Sequence, residues 1–141
     1  MTISGLDHVA LPTQDPTAMM EFYGALGFMV PDAHLWRNVT NPMLVIVCGD
    51  QKINLLEPAE WQDEQFTLRG PTARPGCGDL CFVWSRTLEA LHAAFRRAGA
   101  AVIAGPLERF GGRNHGQARG SSIYTRDPDG NLLEFIIYDA P

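Results

Sequence analysis

Asn131-Leu132-Leu133-Glu134, close to the end of the chain, repeats Asn54-Leu55-Leu56-Glu57 near its middle. Four matching residues carry little weight alone. Their setting carries more, because the residues ahead of each copy follow one grammar. Leu6 to Leu11 reads as a short strand. Asp15 then offers a helix N-cap, and Pro16 suits the first turn. Met19, Phe22, Tyr23 and Leu26 lie on one helical face, and Gly27 stops the helix. In the second half Asp79 to Trp84 reads as a strand and Thr87 as a cap. Leu88, Leu91, His92 and Phe95 form the stripe, and Gly99 is the stop. Cap and stop are equally far apart in both halves.

Three strands are expected after each helix: about 28–37, 43–48 and 52–57, then about 101–105, 121–126 and 132–138. Asn41-Pro42, Gly49-Asp50 and Asp127-Pro128-Asp129-Gly130-Asn131 mark turns. The fold class is therefore α+β, with two β-α-β-β-β modules: about 5–58 and about 77–139, joined by a linker of about 59–76. That linker, with Pro58, Pro71 and Pro75 in and beside it, is long for an inert connection, and a partner subunit is one surface for it to cross. Residues 106–120 show no clear pattern.

Composition narrows the function classes. The chain has 141 residues, 45% of them hydrophobic, enough for a core at this size. Its net charge of −5 gives no basic face for nucleic acid. No apolar run reaches the roughly 18–20 residues that span a bilayer, and Met1 to Gly5 has no secretory pattern, so a cytoplasmic protein is expected. Cys48, Cys77 and Cys81 match no zinc spacing and read as reduced thiols, with Cys48 and Cys81 buried in strands.

Leu6-Asp7-His8-Val9-Ala10-Leu11, Phe22-Tyr23 before Leu26-Gly27-Phe28, and Tyr124 through Glu134 resemble the glyoxalase/bleomycin-resistance/extradiol-dioxygenase superfamily. The closing stretch is the most specific part. The resemblance implies curved mixed sheets forming a cup around a divalent metal, and a homodimer. It leaves the reaction open, because the family hosts lyases, isomerases, dioxygenases and metal-free binders.

Mapped by the resemblance, His8, Asp79 and Glu134 are the expected metal ligands, with Glu134 or Glu57 as a proton carrier. The residues themselves make Glu134 informative: a carboxylate in an apolar strand is costly unless a partner such as Arg126 or Arg119, or a cation, meets it. Asp79 reads equally as a ligand or a loop cap. In the first module two registers compete. The repeated tetrapeptide makes Glu57 the counterpart of Glu134, whereas the strand pattern aims Asn54 and Leu56 at the cavity. One branch of the family leads us to expect histidine where Leu56 stands, and leucine cannot ligate.

One imidazole with carboxylates favours Mn, Co, Ni, Zn or Mg over Fe, or a site without metal. His34 and His92 fall outside the expected ligand positions. Arg113 and His115, in a Gly-rich loop, and Tyr124 and Arg126, beside the closing turn, are candidates for substrate contacts. The leading expectation is a metal-dependent lyase or isomerase acting on a small substrate with neighbouring oxygens. The alternatives are a metal-free binding protein with Trp36, Trp61, Trp84 and Phe110 lining its cleft, and a ring-cleaving dioxygenase.

Overall fold

The computed structural model describes residues 2–32 and 44–139. His34, Trp36, the turn at Asn41-Pro42 and half of the strand expected at 28–37 lie outside the described residues. From that strand, Met29 is seen pairing with Val47.

The first module runs β1 (His8–Pro12), α1 (Pro16–Leu26), β2 (Val45–Cys48) and β3 (Gln51–Leu56). β3 lies between β1, to which it is parallel, and β2, to which it is antiparallel. A short helix α2 (Pro58–Trp61) opens the linker. The second module runs β4 (Asp79–Val83), α3 (Leu88–Ala98), β5 (Ala104–Phe110), β6 (Arg119–Arg126) and β7 (Leu132–Tyr138), with sheet order β4-β7-β6-β5. In both modules the last strand pairs in parallel with the first. The result is an α+β fold with two open mixed sheets.

The helix ends obey the local chemistry. Asp15 accepts the Ala18 N–H at 3.1 Å, and Thr87 accepts that of Ala90 at 3.1 Å. Gly27 and Gly99 end their helices in the left-handed region, at φ 112° and 68°, where a side chain is strained. Met19, Tyr23, Leu26, Leu91 and Phe95 point inward into one core shared by both modules. Phe135 sits at its centre, with ring contacts to Phe28, Phe82, Trp84 and Phe95. His92 lies half-buried at the edge of its helical stripe.

Two expectations need correction. β5 continues to Phe110, so half of the stretch without pattern is strand. It is an edge strand with Pro106, an irregular register between Ala104 and Leu107, and five exposed residues in succession, so no alternation survives. Cys81 is exposed rather than buried, and Cys48 is half-buried. β4 also lies at a sheet edge, and Cys81 is on the face away from its helix.

The closing turn ties the modules together. Asp127 Oδ2 accepts the Tyr23 hydroxyl and Asn131 Nδ2, both at 2.7 Å. Its Oδ1 accepts the backbone N–H groups of Asp129 and Asn131 at 3.0 Å. Asn131 Oδ1 accepts Gly78 N at 2.7 Å, and Asp129 Oδ1 accepts Gln14 N at 3.0 Å. Tyr23 belongs to α1 and Gln14 follows β1, so the second module's turn is bonded into the first. Trp61 performs a like task for the linker: it is buried and donates Nε1–H to the Thr13 carbonyl at 2.9 Å. Among the described residues, no helix is long and apolar enough to cross a membrane.

Candidate functional site

Register decides which side chains share a face. Cys81 stands opposite Glu134, and Tyr124 stands opposite Glu134 from the other side. In the first module Ala10 stands opposite Asn54, and Val45 flanks it. Counting from the first residue of each parallel strand, His8 corresponds to Asp79 and Asn54 to Glu134. Leu56 shares the side of Asn54, since side chains alternate along a strand. Glu57 falls beyond β3. It is the N-cap of α2, in a capping box with Glu60, whose carboxylate accepts Glu57 N at 3.0 Å.

Glu134 is half-buried near the middle of its sheet. The Ser122 hydroxyl donates to its Oε2 at 2.5 Å. The Cys81 thiol, across from Glu134, lies 4.0 Å from the Phe82 carbonyl; partial desolvation of its sulfur, then the Glu134 charge, pushes it up to about 12. Neither arginine proposed as a partner meets Glu134. Arg126 donates to the Gly130 carbonyl at 3.1 Å, and Arg119 pairs with Glu108. Among the described residues Glu134 has one hydroxyl donor and no cation.

His8 is exposed, and its Nδ1 lies 2.7 Å from Asp7 Oδ2. That bond and the imidazole charge hold the Asp7 carboxyl below its ordinary range. Asp79 is exposed at the start of β4 and makes no hydrogen bond among the described residues. Asn54 Oδ1 is buried and has no hydrogen-bond partner there. These donors do not form one set: among the described residues, no three His, Cys, Asp or Glu side chains come together to hold an ion. The described residues of a single chain therefore do not fit a closed metal centre.

The other candidates divide. Tyr124 is half-buried, and its phenolic oxygen accepts Arg109 Nε–H at 2.9 Å. Arg126 shares its parity but turns to the closing loop. Arg113 lies over the Tyr138 ring, 4.4 Å from the centroid. His115 is exposed in the left-handed region at φ 54°. Ser122, Cys81 and Arg109 were not anticipated. Ser122 and Cys81 become visible in the sequence once Glu134 is placed, by pairing β6 and β4 with β7. Arg109 carries no such signal, because its strand was unreadable.

A cleft of about 520 Å³ opens between the modules. Leu26, Phe28 and Cys48 line it from the first module, and Cys81, Trp84 and Phe135 from the second. Cys81 thus belongs both to this cleft and to the face that carries Glu134. Of the aromatics expected there, Trp84 is present, Trp61 is packed elsewhere, and Phe110 is 63% exposed at a hairpin.

Fold and site define an α+β protein of two modules, β-α-β-β among the described residues of the first and β-α-β-β-β in the second, with a carboxylate-centred face beside an apolar cleft. The model of the Glyoxalase/Bleomycin resistance protein/Dioxygenase superfamily matches residues 5–135, and the chain belongs to that family. It is 33% identical over 139 residues to the virulence protein STM3117 of Salmonella typhimurium, covering 98% of this chain and 87% of that one. The glyoxalase domain-containing protein RDO1 of Mycosarcoma maydis is 31% identical over 140 residues, covering 98% and 70%. Among solved structures, the Vibrio cholerae integron cassette protein VCH_CASS1 superposes with a TM-score of 0.79 at 31% identity, covering 99% and 98%.

Proposed function

We propose that this chain is a small-molecule-binding member of its family. Its ligand places an apolar ring in the inter-module cleft and an oxygen-bearing edge against Glu134. The observation that carries this reading is the register of β3 on β1. With that register Asn54 and Leu56 share the face away from the core and Glu57 caps a helix, so among the described strand residues of the first module no carboxylate joins Asn54 on that face. A concave apolar cleft with a few convergent polar groups is the usual form of a small-molecule site. Its volume, about 520 Å³, falls within the usual range.

A second reading is a metal-dependent lyase or isomerase, with His8, Asp79 and Glu134 as ligands to a divalent ion. The buried, unpartnered Asn54 Oδ1 favours it, as an oxygen donor on the same side as His8. Bound metal would supply Lewis-acid polarisation of a substrate oxygen. A homodimer accompanies either reading, since β1 and β4 lie at sheet edges and Val83 on β4 is 50% exposed. So does a reducing, cytoplasmic setting, which the three free thiols suit.

Calorimetric titration separates the two. The wild type, His8→Ala, Glu134→Gln and Trp84→Ala are each titrated with 1-phenylethane-1,2-diol and with Mn²⁺, Ni²⁺ and Zn²⁺. The binding reading expects the diol to bind without added metal, weakly in Trp84→Ala and not in Glu134→Gln. Divalent-ion binding lost in both His8→Ala and Glu134→Gln, with diol binding only when the ion is present, hands the site to the enzyme reading.

A further inference from the structure

We infer that Arg109 and Tyr124 form a carboxylate anchor beside Glu134, which makes the ligand a small 2-hydroxy acid with an apolar side group. The inference rests on the binding site proposed above and names what that site selects.

Register places the anchor. Arg109 stands opposite Gly120, Leu107 opposite Ser122, and Tyr124 opposite Glu134. Gly120, Ser122 and Tyr124 alternate onto one side of β6, so Arg109 shares the face of Glu134. Glycine across from Arg109 leaves the long side chain free to run along β6 to Tyr124. There the guanidinium is fixed at two points. Its Nε–H donates to the Tyr124 oxygen at 2.9 Å, and Nη1 donates to the Glu108 carbonyl at 2.9 Å.

The bonding leaves specific valences open. The Tyr124 oxygen is an acceptor toward Arg109, so its own proton is available to a ligand. Arg109 has no carboxylate partner among the described residues. The contrast is with Arg119 on the opposite face, which takes Glu108. An unpaired guanidinium beside a phenol that can donate matches the planar fork of a carboxylate.

Glu134 sets the other half of the specificity. It already accepts from Ser122 and carries no cation, so it repels an anion and welcomes a hydroxyl donor. Side chains directly opposed across antiparallel strands have Cβ atoms roughly 4.5–5.5 Å apart. Tyr124 and Glu134 are such a pair. Tyr124, Glu134 and Cys81 form one cross-strand row, which suits adjacent groups of one small molecule: carboxylate toward Arg109 and Tyr124, hydroxyl toward Glu134, ring toward Cys81, where the row meets the cleft.

The test compares mandelate with its neutral counterpart, 1-phenylethane-1,2-diol, by titration calorimetry on the full chain. The wild type is expected to bind mandelate the more tightly. In Arg109→Gln the mandelate-to-diol affinity ratio should fall roughly tenfold or more, the loss of a charge-assisted pair. Arg109→Lys should restore only part of it, because lysine keeps the charge and lacks the fork. Tyr124→Phe should lower the ratio severalfold. Circular dichroism shows whether each variant is folded. Mandelate binding no better than the diol, or an unchanged ratio in Arg109→Gln, overturns the anchor and leaves the cleft standing. Failure of both compounds on the wild type removes the cleft and the anchor together.

Discussion

The contact between Cys81 and Glu134 can be read from the rate at which the thiol is alkylated. Cys81 is exposed as a residue, but its sulfur is partly desolvated, and this with the Glu134 carboxylate pushes the thiol up to about 12. An ordinary thiol ionises near roughly 8.5, so at pH 8 about one in four is thiolate, against roughly one in ten thousand for a thiol at 12. The more basic thiolate is intrinsically faster. With a Brønsted slope of roughly 0.4–0.5, the difference returns a factor of about 40. Cys81 should therefore react with iodoacetamide at pH 8 roughly fifty- to a hundredfold more slowly than an ordinary exposed thiol. Cys77 is the internal reference, since it is exposed in the same chain. Site-resolved mass spectrometry over a time course gives both rates. Glu134→Gln removes the anionic neighbour and keeps the side-chain shape, so it should lower the Cys81 pKa and speed the reaction severalfold. Alkylation of Cys81 as fast as Cys77 would show that neither desolvation nor Glu134 raises the thiol, and a rate indifferent to Glu134→Gln would show that the carboxylate does not act on it.

Tyr23→Phe should cost about 1.5–3 kcal/mol in urea denaturation, because it strips a donor from a buried carboxylate. Tyr23 is 0% exposed and donates to Asp127 at 2.7 Å; a loss below about 0.5 kcal/mol, the scale of an ordinary surface change, would refute a bonding role. Asp129 tests pH dependence. Burial, then the Asp127 and Asp15 charges, raise its pKa against the hydrogen bonds from Thr13 and Gln14. A carboxyl raised in the folded state binds its proton more tightly there, so its contribution is present at low pH and is lost as pH rises through the folded value. Stability of the wild type relative to Asp129→Asn should therefore decline above the ordinary carboxylate range, and a flat difference between pH 4 and 7 would count against it. Gly120→Ala should lose about 1–3 kcal/mol through overpacking. Its added Cβ would lie 2.6 Å from the Ile137 carbonyl oxygen, which belongs to the neighbouring strand's backbone, whereas Gly112→Ala meets nothing within 4 Å and should be silent in the same thermal melt.

The duplicated architecture was legible because both modules obey rules that act over a few residues. Asp15 and Thr87 cap, Gly27 and Gly99 stop, and the apolar stripes between them face a core. The closing turn was legible as a turn, though not as the clamp that Asp127 forms on Tyr23, 104 positions away in the chain. β5 was illegible because an exposed edge strand has no buried side to impose alternation.

For the site, the sequence determined that Glu134 would be a carboxylate in an apolar strand needing partners. The tertiary structure decided its surroundings: the Ser122 hydroxyl as donor and Cys81 as cross-strand neighbour, instead of Arg126 or Arg119. It also decided the first module's register: the repeated Asn-Leu-Leu-Glu makes Glu57 the counterpart of Glu134, whereas strand pairing makes it Asn54. The physical reason is common to both. Local signals fix helix ends and the inward side of a stripe. In a strand, sliding the pairing by one residue exchanges the two faces at no local cost. The choice is made only when β3 docks on β1 and buries Ile53 and Leu55 in the shared core.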